Sequence, residues 1–239
     1  TLTNYLTSIF HDFQRGYSSS PSAPYTVTPE VKLYYNPELK SVFLFVPGLL
    51  TIIMMLISAM MTSISITREK ETGTMEVLMV SPLSPLHIIA GKVLPYLLLS
   101  FSISNIALLI GRFVFEVPVE GNLLLLEGMI LLFIITALSL GILISTLVDS
   151  QLTAMMISMV GLMMPTILLS GFIFPIRNMP WGLQVFSWMI PATWFIEITR
   201  GIMLKENGLA QLWPNALVLT GMTTLFIALS IKKYKIRLG

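Results

Sequence analysis

The chain has 239 residues, 55% of them hydrophobic and only 11% charged, with 14 basic against 12 acidic side chains and no cysteine. Soluble domains carry about 25% charged residues, so this composition belongs to an integral membrane protein, and its near-neutral balance offers no global field for nucleic acid. The lack of cysteine excludes disulfide frameworks, thiolate metal sites and cysteine nucleophiles, and leaves the redox compartment open.

The first 40 residues are polar and include the Pro/Ser-rich "SSSPSAPYTVTPE". They lack the apolar core of a signal peptide. Five apolar runs of about 20 residues or more follow, long enough for a hydrocarbon layer of roughly 30 Å: residues 42–66, 88–111, 123–148, 152–174 and 213–231. They show no sustained alternation, which argues against an outer-membrane barrel and for helices. Pro47, Pro95 and Pro165 lie inside or near the ends of three runs and read as tolerated kinks.

Basic residues set the expected orientation. Arg68, Lys70, Lys92, Lys232, Lys233, Lys235 and Arg237 fall on one side, and only Arg112, Arg177, Arg200 and Lys205 on the other, leaving aside the N-terminal segment. The first side, with the C-terminus, is expected in the cytoplasm. With five spans Thr1 then lies outside, so a further transmembrane helix is expected before it. Residues 1–40 are expected to be the end of an extracytoplasmic domain, and 41–239 the transmembrane domain.

After the first run comes "TREKETGTMEVLMVSPLSP". Arg68, Glu69, Lys70 and Glu71 alternate in sign, and the spacing of Arg68 and Glu71 suits a weak pair on one helical turn. Gly73 interrupts helical propensity, Met75, Leu78 and Met79 then form a small apolar face, and Pro82 and Pro85 close the segment. Such a helix can lie in the lipid interface or dock into a protein groove. Acidic Glu69, Glu71 and Glu76 favour a protein partner.

Farther along, Ser100, Ser104, Asn105, Gly141 and Ser145 suit close helix packing. Glu127 and Asp149 lie near span ends, not at midplane where a proton-coupled carrier would place carboxylates. Met155, Met156, Met159, Met163 and Met164 cluster in the fourth run, suiting helix packing first and a pathway for apolar cargo second. The region 175–212 holds Trp181, Trp188 and Trp194, a residue type of membrane interfaces. There Glu197 and Arg200, three apart, read as an ion pair that holds a helix, with an outer gate or substrate contact as the alternative. His11 and His87 fall on opposite sides of the membrane in this topology, and neither H-E-x-x-H nor G-x-S-x-G occurs. No catalytic or metal site is expected.

The segment "REKETGTMEVLMVSP" resembles the ATPase-contacting helix of ABC-2 family transporter permeases, and the likeness continues in "YNPELKSVFLFVPGLL", "GKVLPYLLL", "FEVPVEGN", "LLSGFIFPIRNMP" and "IPATWFIEITRGIMLKENG". It covers most of residues 35–208 in family order and is nearest to bacterial efflux permeases with a large extracytoplasmic domain. The resemblance implies an all-α membrane fold, with five of six permease helices visible, a cytoplasmic coupling loop at 67–87 and outer re-entrant or interfacial helices at 175–212. It further implies that Arg68, Glu69, Glu71, Gly73, Thr74 and Glu76 meet a separate cytoplasmic ATPase subunit, which binds ATP and magnesium. The chain agrees, since it has no G-x-x-x-x-G-K-[ST] loop, and the Gly91 to Val93 stretch lacks the glycine and hydroxyl such a loop needs. The expected function is the permease of an exporter for a drug-like or lipid-like amphipath in the bacterial inner membrane, paired with a second permease copy or a sister permease. A membrane scaffold or sensor that docks a cytoplasmic partner, and an ion-coupled secondary transporter, are the alternatives.

Overall fold

Helix α1 (Val42–Glu71) runs for 30 residues, about 45 Å at 1.5 Å per residue, and so outreaches a hydrocarbon layer of roughly 30 Å. The computed structural model to which it belongs describes residues 8–9, 12–13, 40–74 and 85–236, with side chains over 40–74 and 90–233 in the two longer stretches. The chain divides into two compact units, Thr1–Lys40 and Ser41–Gly239. Most of the segment expected to be extracytoplasmic, and the 75–84 part of the expected coupling loop, lie outside the described residues.

Six further helices follow in the second unit: α2 (Pro85–Phe113), α3 (Leu123–Leu147), α4 (Gln151–Leu169), α5 (Trp181–Trp188), α6 (Pro191–Lys205) and α7 (Leu209–Ile236), with a short 3-10 turn at Ile176–Asn178 before α5. The described residues contain no strand. Helices α1, α2, α3, α4 and α7 are long and apolar enough to cross a membrane, so the chain is a multi-pass membrane protein.

The first run was expected to stop at 66, but the helix continues through Arg68, Glu69, Lys70 and Glu71. These are good helix formers, and nothing before Gly73 breaks the backbone. The helix ends where the Thr72 N–H donates to the Arg68 carbonyl (2.9 Å) and the Gly73 N–H to that of Lys70 (3.3 Å). Gly73 takes φ +71, a left-handed conformation open to glycine at little cost. The fourth run ends earlier than expected, at Leu169, because Gly171 turns the chain at φ +80. The last starts earlier, at Leu209.

Helices α1 and α3 form the centre. Half of the most apolar window of α1 and 61% of that of α3 are buried within the chain, against 17% for each of α2, α4 and α7, which therefore stand around them. A Cβ on Gly141 of α3 would sit 2.5 Å from the Ala59 carbonyl oxygen of α1 and 3.0 Å from the Thr62 Cβ, so the two backbones touch. Lipid tails are as apolar as leucine, so no hydrophobic force drives one span onto another, and close backbone approach through small residues takes its place. Hydroxyl pairs extend the packing. Ser58 bonds Ser100 of α2 (2.9 Å), Ser63 bonds Ser158 of α4 (2.9 Å), and Thr136 of α3 bonds Thr223 of α7 (2.8 Å). Each such bond contributes about 0.6 kcal/mol.

Helix α6 is short but almost wholly buried. Phe195 stacks on Phe133 of α3 with ring centroids 4.1 Å apart, and Ile198, Ile202 and Met203 join the same core. Helix α5, by contrast, exposes Trp181, Phe186 and Trp188 while burying Ser187. The 175–212 region is thus a surface helix followed by a buried one, neither long enough to cross.

The contact at Gly141 makes a direct prediction. Gly141→Ala should destabilise the protein by about 1–3 kcal/mol through overpacking against backbone, whereas Gly128→Ala on the same helix, where a Cβ meets nothing within 4 Å, should be neutral or stabilising. Thermal unfolding in detergent compares the two, and equal midpoints would contradict the close approach.

Candidate functional site

Arg68, Glu69, Glu71, Gly73 and Thr74 gather at one end of the bundle, on the last turn of α1 and just past it, while Glu76 lies outside the described residues. Three consecutive side chains there reach three different elements. Glu69 forms an ion pair with Lys92 of α2. The Lys70 ammonium donates to the Ser145 carbonyl and, at 3.5 Å, to that of Val148, both at the C-terminal end of α3. The Glu71 carboxylate accepts from the backbone N–H (2.9 Å) and side-chain amide (3.1 Å) of Gln151, the first residue of α4.

This corrects the expected pairing of Arg68 with Glu71. The Glu71 carboxylate is drawn instead to an unpaired N–H at a helix start, where a negative charge is favoured. Arg68 is exposed, Thr72 and Thr74 share a hydroxyl contact of 3.1 Å, and the Thr74 hydroxyl also reaches back to the Glu69 carbonyl at 3.4 Å. Lys70, Lys92 and Gln151 were not among the expected site residues. In the sequence Lys70 stands out as part of the alternating-sign run and as one of the basic residues that set orientation, and Lys92 only as the latter.

At the opposite end the structure corrects a second expectation, for Glu197 and Arg200 do not form a salt bridge. The Arg200 guanidinium donates to the carbonyls of Gly171 (2.9 Å) and Phe172 (3.2 Å), past the end of α4, and to that of Leu44 (3.1 Å), at the start of α1. Burial lowers its pKa, and the nearby charge of Glu197 acts in the other direction. Glu197 is exposed and accepts from the Asn215 amide at 3.2 Å. Carbonyls beyond a helix end have no intrahelical partners, and a planar fork of donors can serve several at once. Nearby, the Ser187 hydroxyl donates to the Leu169 carbonyl and the Thr193 hydroxyl to the Ser187 carbonyl (2.7 Å), joining α5 to α4 and α6.

Between the two ends, Asn105 of α2 approaches Glu127 of α3 at 3.4 Å. Of the five methionines of α4 only Met163 is half-buried. Met155, Met156, Met159 and Met164 are exposed, whereas Ala154, Ser158 and Thr166 make the stripe that meets α1. A cleft of about 160 Å³ between α1 and α2 is lined only by apolar side chains such as Leu49, Ile53 and Phe115, so nothing in it would fix a ligand's orientation. Among the described residues no group of three His, Cys, Asp or Glu side chains is placed to hold a metal ion.

Arg200→Met should remove the donor that the three carbonyls share and destabilise by about 2–3 kcal/mol, as expected for hydrogen bonds to a charged group. Arg200→Lys should recover little, because one ammonium cannot span the three acceptors, and Glu197→Gln should cost little because Asn215 still finds an acceptor. Unfolding midpoints in detergent test the set, and a loss for Glu197→Gln equal to that for Arg200→Met would restore the ion pair.

The family described as ABC-2 family transporter protein matches residues 2–232. The chain is 34% identical over 209 residues to the probable multidrug ABC transporter permease YbhS of Escherichia coli (strain K12), covering 87% of this chain and 55% of that protein. To the probable multidrug ABC transporter permease YbhR of the same organism it is 35% identical over 224 residues, covering 92% of this chain and 60% of that protein. Similarity also extends to ABC transporter G family member 20 of Dictyostelium discoideum, 31% identical over 208 residues, 86% of this chain and 28% of that one. The chain thus spans little more than half the length of the two bacterial relatives, and no solved structure matches it. With its five candidate spans and a family match over almost its whole length, the chain belongs to the ABC-2 family of transporter proteins.

Proposed function

We propose that the chain is the transmembrane part of an ABC-2 exporter permease, energised by separate cytoplasmic ATPase subunits that bind ATP and magnesium. The observation that carries this reading is the course of α1. One of the two central helices runs without interruption into the charged turn from which the loop at 67–87 leaves, so a push on that loop bears directly on the core. Family membership, and relatives named as multidrug ABC transporter permeases, support the reading.

The Lys and Arg excess supports a cytoplasmic Glu71 end and an outer Arg200 end, and the bacterial relatives support an inner-membrane location. The docking surface for the ATPase consists of Arg68, Gly73, Thr74 and Glu76. Glu69 and Glu71 border that surface, with carboxylates that also meet Lys92 and Gln151. Glu197 and Arg200 stand at the outer mouth, where Arg200 holds the wall and Glu197, exposed beside Asn215, is the side chain that meets cargo. A second permease, identical or a sister chain, completes the pathway. The exposed methionines of α4 suit an apolar or amphipathic cargo, drug-like or lipid-like, because thioether side chains adapt to varied shapes.

The test uses the full-length permease with its ATPase subunit. Arg68→Glu combined with Glu76→Lys should weaken the complex at least about tenfold, since like charges facing across an interface are costly, and should abolish stimulation of ATP hydrolysis by a lipophilic dye. An unchanged complex with intact stimulation would remove this docking surface. Dye export driven by an ion gradient, with no ATPase bound, would return the secondary-transporter reading.

A further inference from the structure

Lys70 and Glu71 are neighbours of opposite charge, and they straddle the turn between α3 and α4. Lys70 meets the carbonyl end of α3, through Ser145 and Val148, and Glu71 meets the N–H end of α4, through Gln151. A helix carries partial negative charge at its C-terminus and partial positive charge at its N-terminus, within its terminal turns. The two side chains are therefore each matched in sign to the helix end they touch. Exchanging them would oppose both.

We infer that Lys70 and Glu71 are positioning residues that fasten the end of α1 to the α3–α4 turn, so that α1, α3 and α4 move as one body when the loop at 67–87 is pushed. The inference deepens the exporter reading and rests on it. Three further observations join in it. Gly141 seats α3 directly on the backbone of α1 at Ala59. Ser63 and Ser158 tie α1 to α4 two turns away from the clasp. The Thr166 hydroxyl reaches the Met55 sulfur at 3.4 Å farther along the same pair of helices. The attachment therefore runs down α4 from its first residue, and α4 carries the exposed Met155, Met156, Met159 and Met164. A stroke delivered to the end of α1 moves that methionine face. Helix α2 joins through a different kind of link, the Glu69–Lys92 ion pair, in which no helix end takes part.

The experiment uses the full-length permease with its ATPase subunit in liposomes, reading ethidium export and ATP hydrolysis together. The double exchange Lys70→Glu with Glu71→Lys preserves net charge and composition but reverses both matches. Ethidium exported per ATP hydrolysed should fall at least about tenfold while hydrolysis continues, and Lys70→Arg, which keeps the charge, should retain the wild-type ratio. Because this chain has no cysteine, Glu71→Cys with Gln151→Cys, in a background otherwise free of cysteine, can be joined by a short bismaleimide. The joined protein should export at the wild-type ratio, since the clasp stays closed throughout the cycle. A wild-type ratio in the double exchange, or arrest on cross-linking, overturns the clasp, and the cross-link decides alone if the double exchange does not assemble. A wild-type protein that shows no ATP-dependent export overturns the exporter reading instead, and the clasp's role with it.

Discussion

Gly141 has no side chain, and that is why α3 can rest on the backbone of α1 at Ala59 and Thr62. In water, apolar faces find each other because water expels them. Inside lipid that force is absent, and spans must be held by close contact and by a few polar bonds. The approach of α1 and α3 sets the rest of the arrangement. It brings the inner surfaces of both helices into one core with Phe133, Ile134, Leu138 and Met54, and it leaves grooves on either side for the remaining helices. Ser58 and Ser63, five residues apart on α1, bond Ser100 of α2 and Ser158 of α4 respectively.

The two ends of the bundle are closed by one kind of chemistry used in two ways. A helix end presents backbone groups that the helix cannot satisfy. At the Arg200 end one guanidinium serves two such carbonyls, Gly171 and Phe172, and reaches a third, Leu44, on the first turn of α1, drawing α6, the end of α4 and the start of α1 together. At the Glu71 end two adjacent side chains of opposite charge divide the work, one on carbonyls and one on an N–H. The first arrangement is partly buried and holds a wall. The second is solvent-facing and lies next to the loop that leaves α1, so it can both hold and transmit. Helix α4 is bound at both ends and along its small-residue stripe, and among the described residues its methionine face, with Ile157 and Val160, is left exposed.

Much of this was legible in residue order. Five spans followed from run length alone, because hydrocarbon thickness acts on each segment separately. The charged cluster at 68–71 was visible too, as was the special role of Gly73. Local spacing then misled twice. Arg68 and Glu71, like Glu197 and Arg200, lie three apart, where pairing within one helix is expected, but Glu71, Glu197 and Arg200 each bond a group on another element. Glu71 bonds a residue 80 positions away in the chain, and Arg200 one that is 156 away. Nothing in a window of a single turn could name those partners. Span ends are less legible, since the apolar run stops at Ile66 while the helix continues to Glu71, just before Gly73 turns the backbone.

Residue order alone establishes that the protein lives in a membrane, that this chain holds five runs long and apolar enough to cross it, where charge collects between them, and, through its motifs, the family. Those are properties of composition and of runs, and each segment expresses them alone. Which helix is central, which face of α4 points outward, and which carbonyls and N–H groups the charged side chains satisfy were decided only by the tertiary structure. The physical reason is that these spans are apolar all round, so they carry no amphipathic stripe from which a buried face could be read. Their contacts are chosen by shape, by where a glycine or serine lets two backbones meet, and shape complementarity exists only between helices already brought side by side.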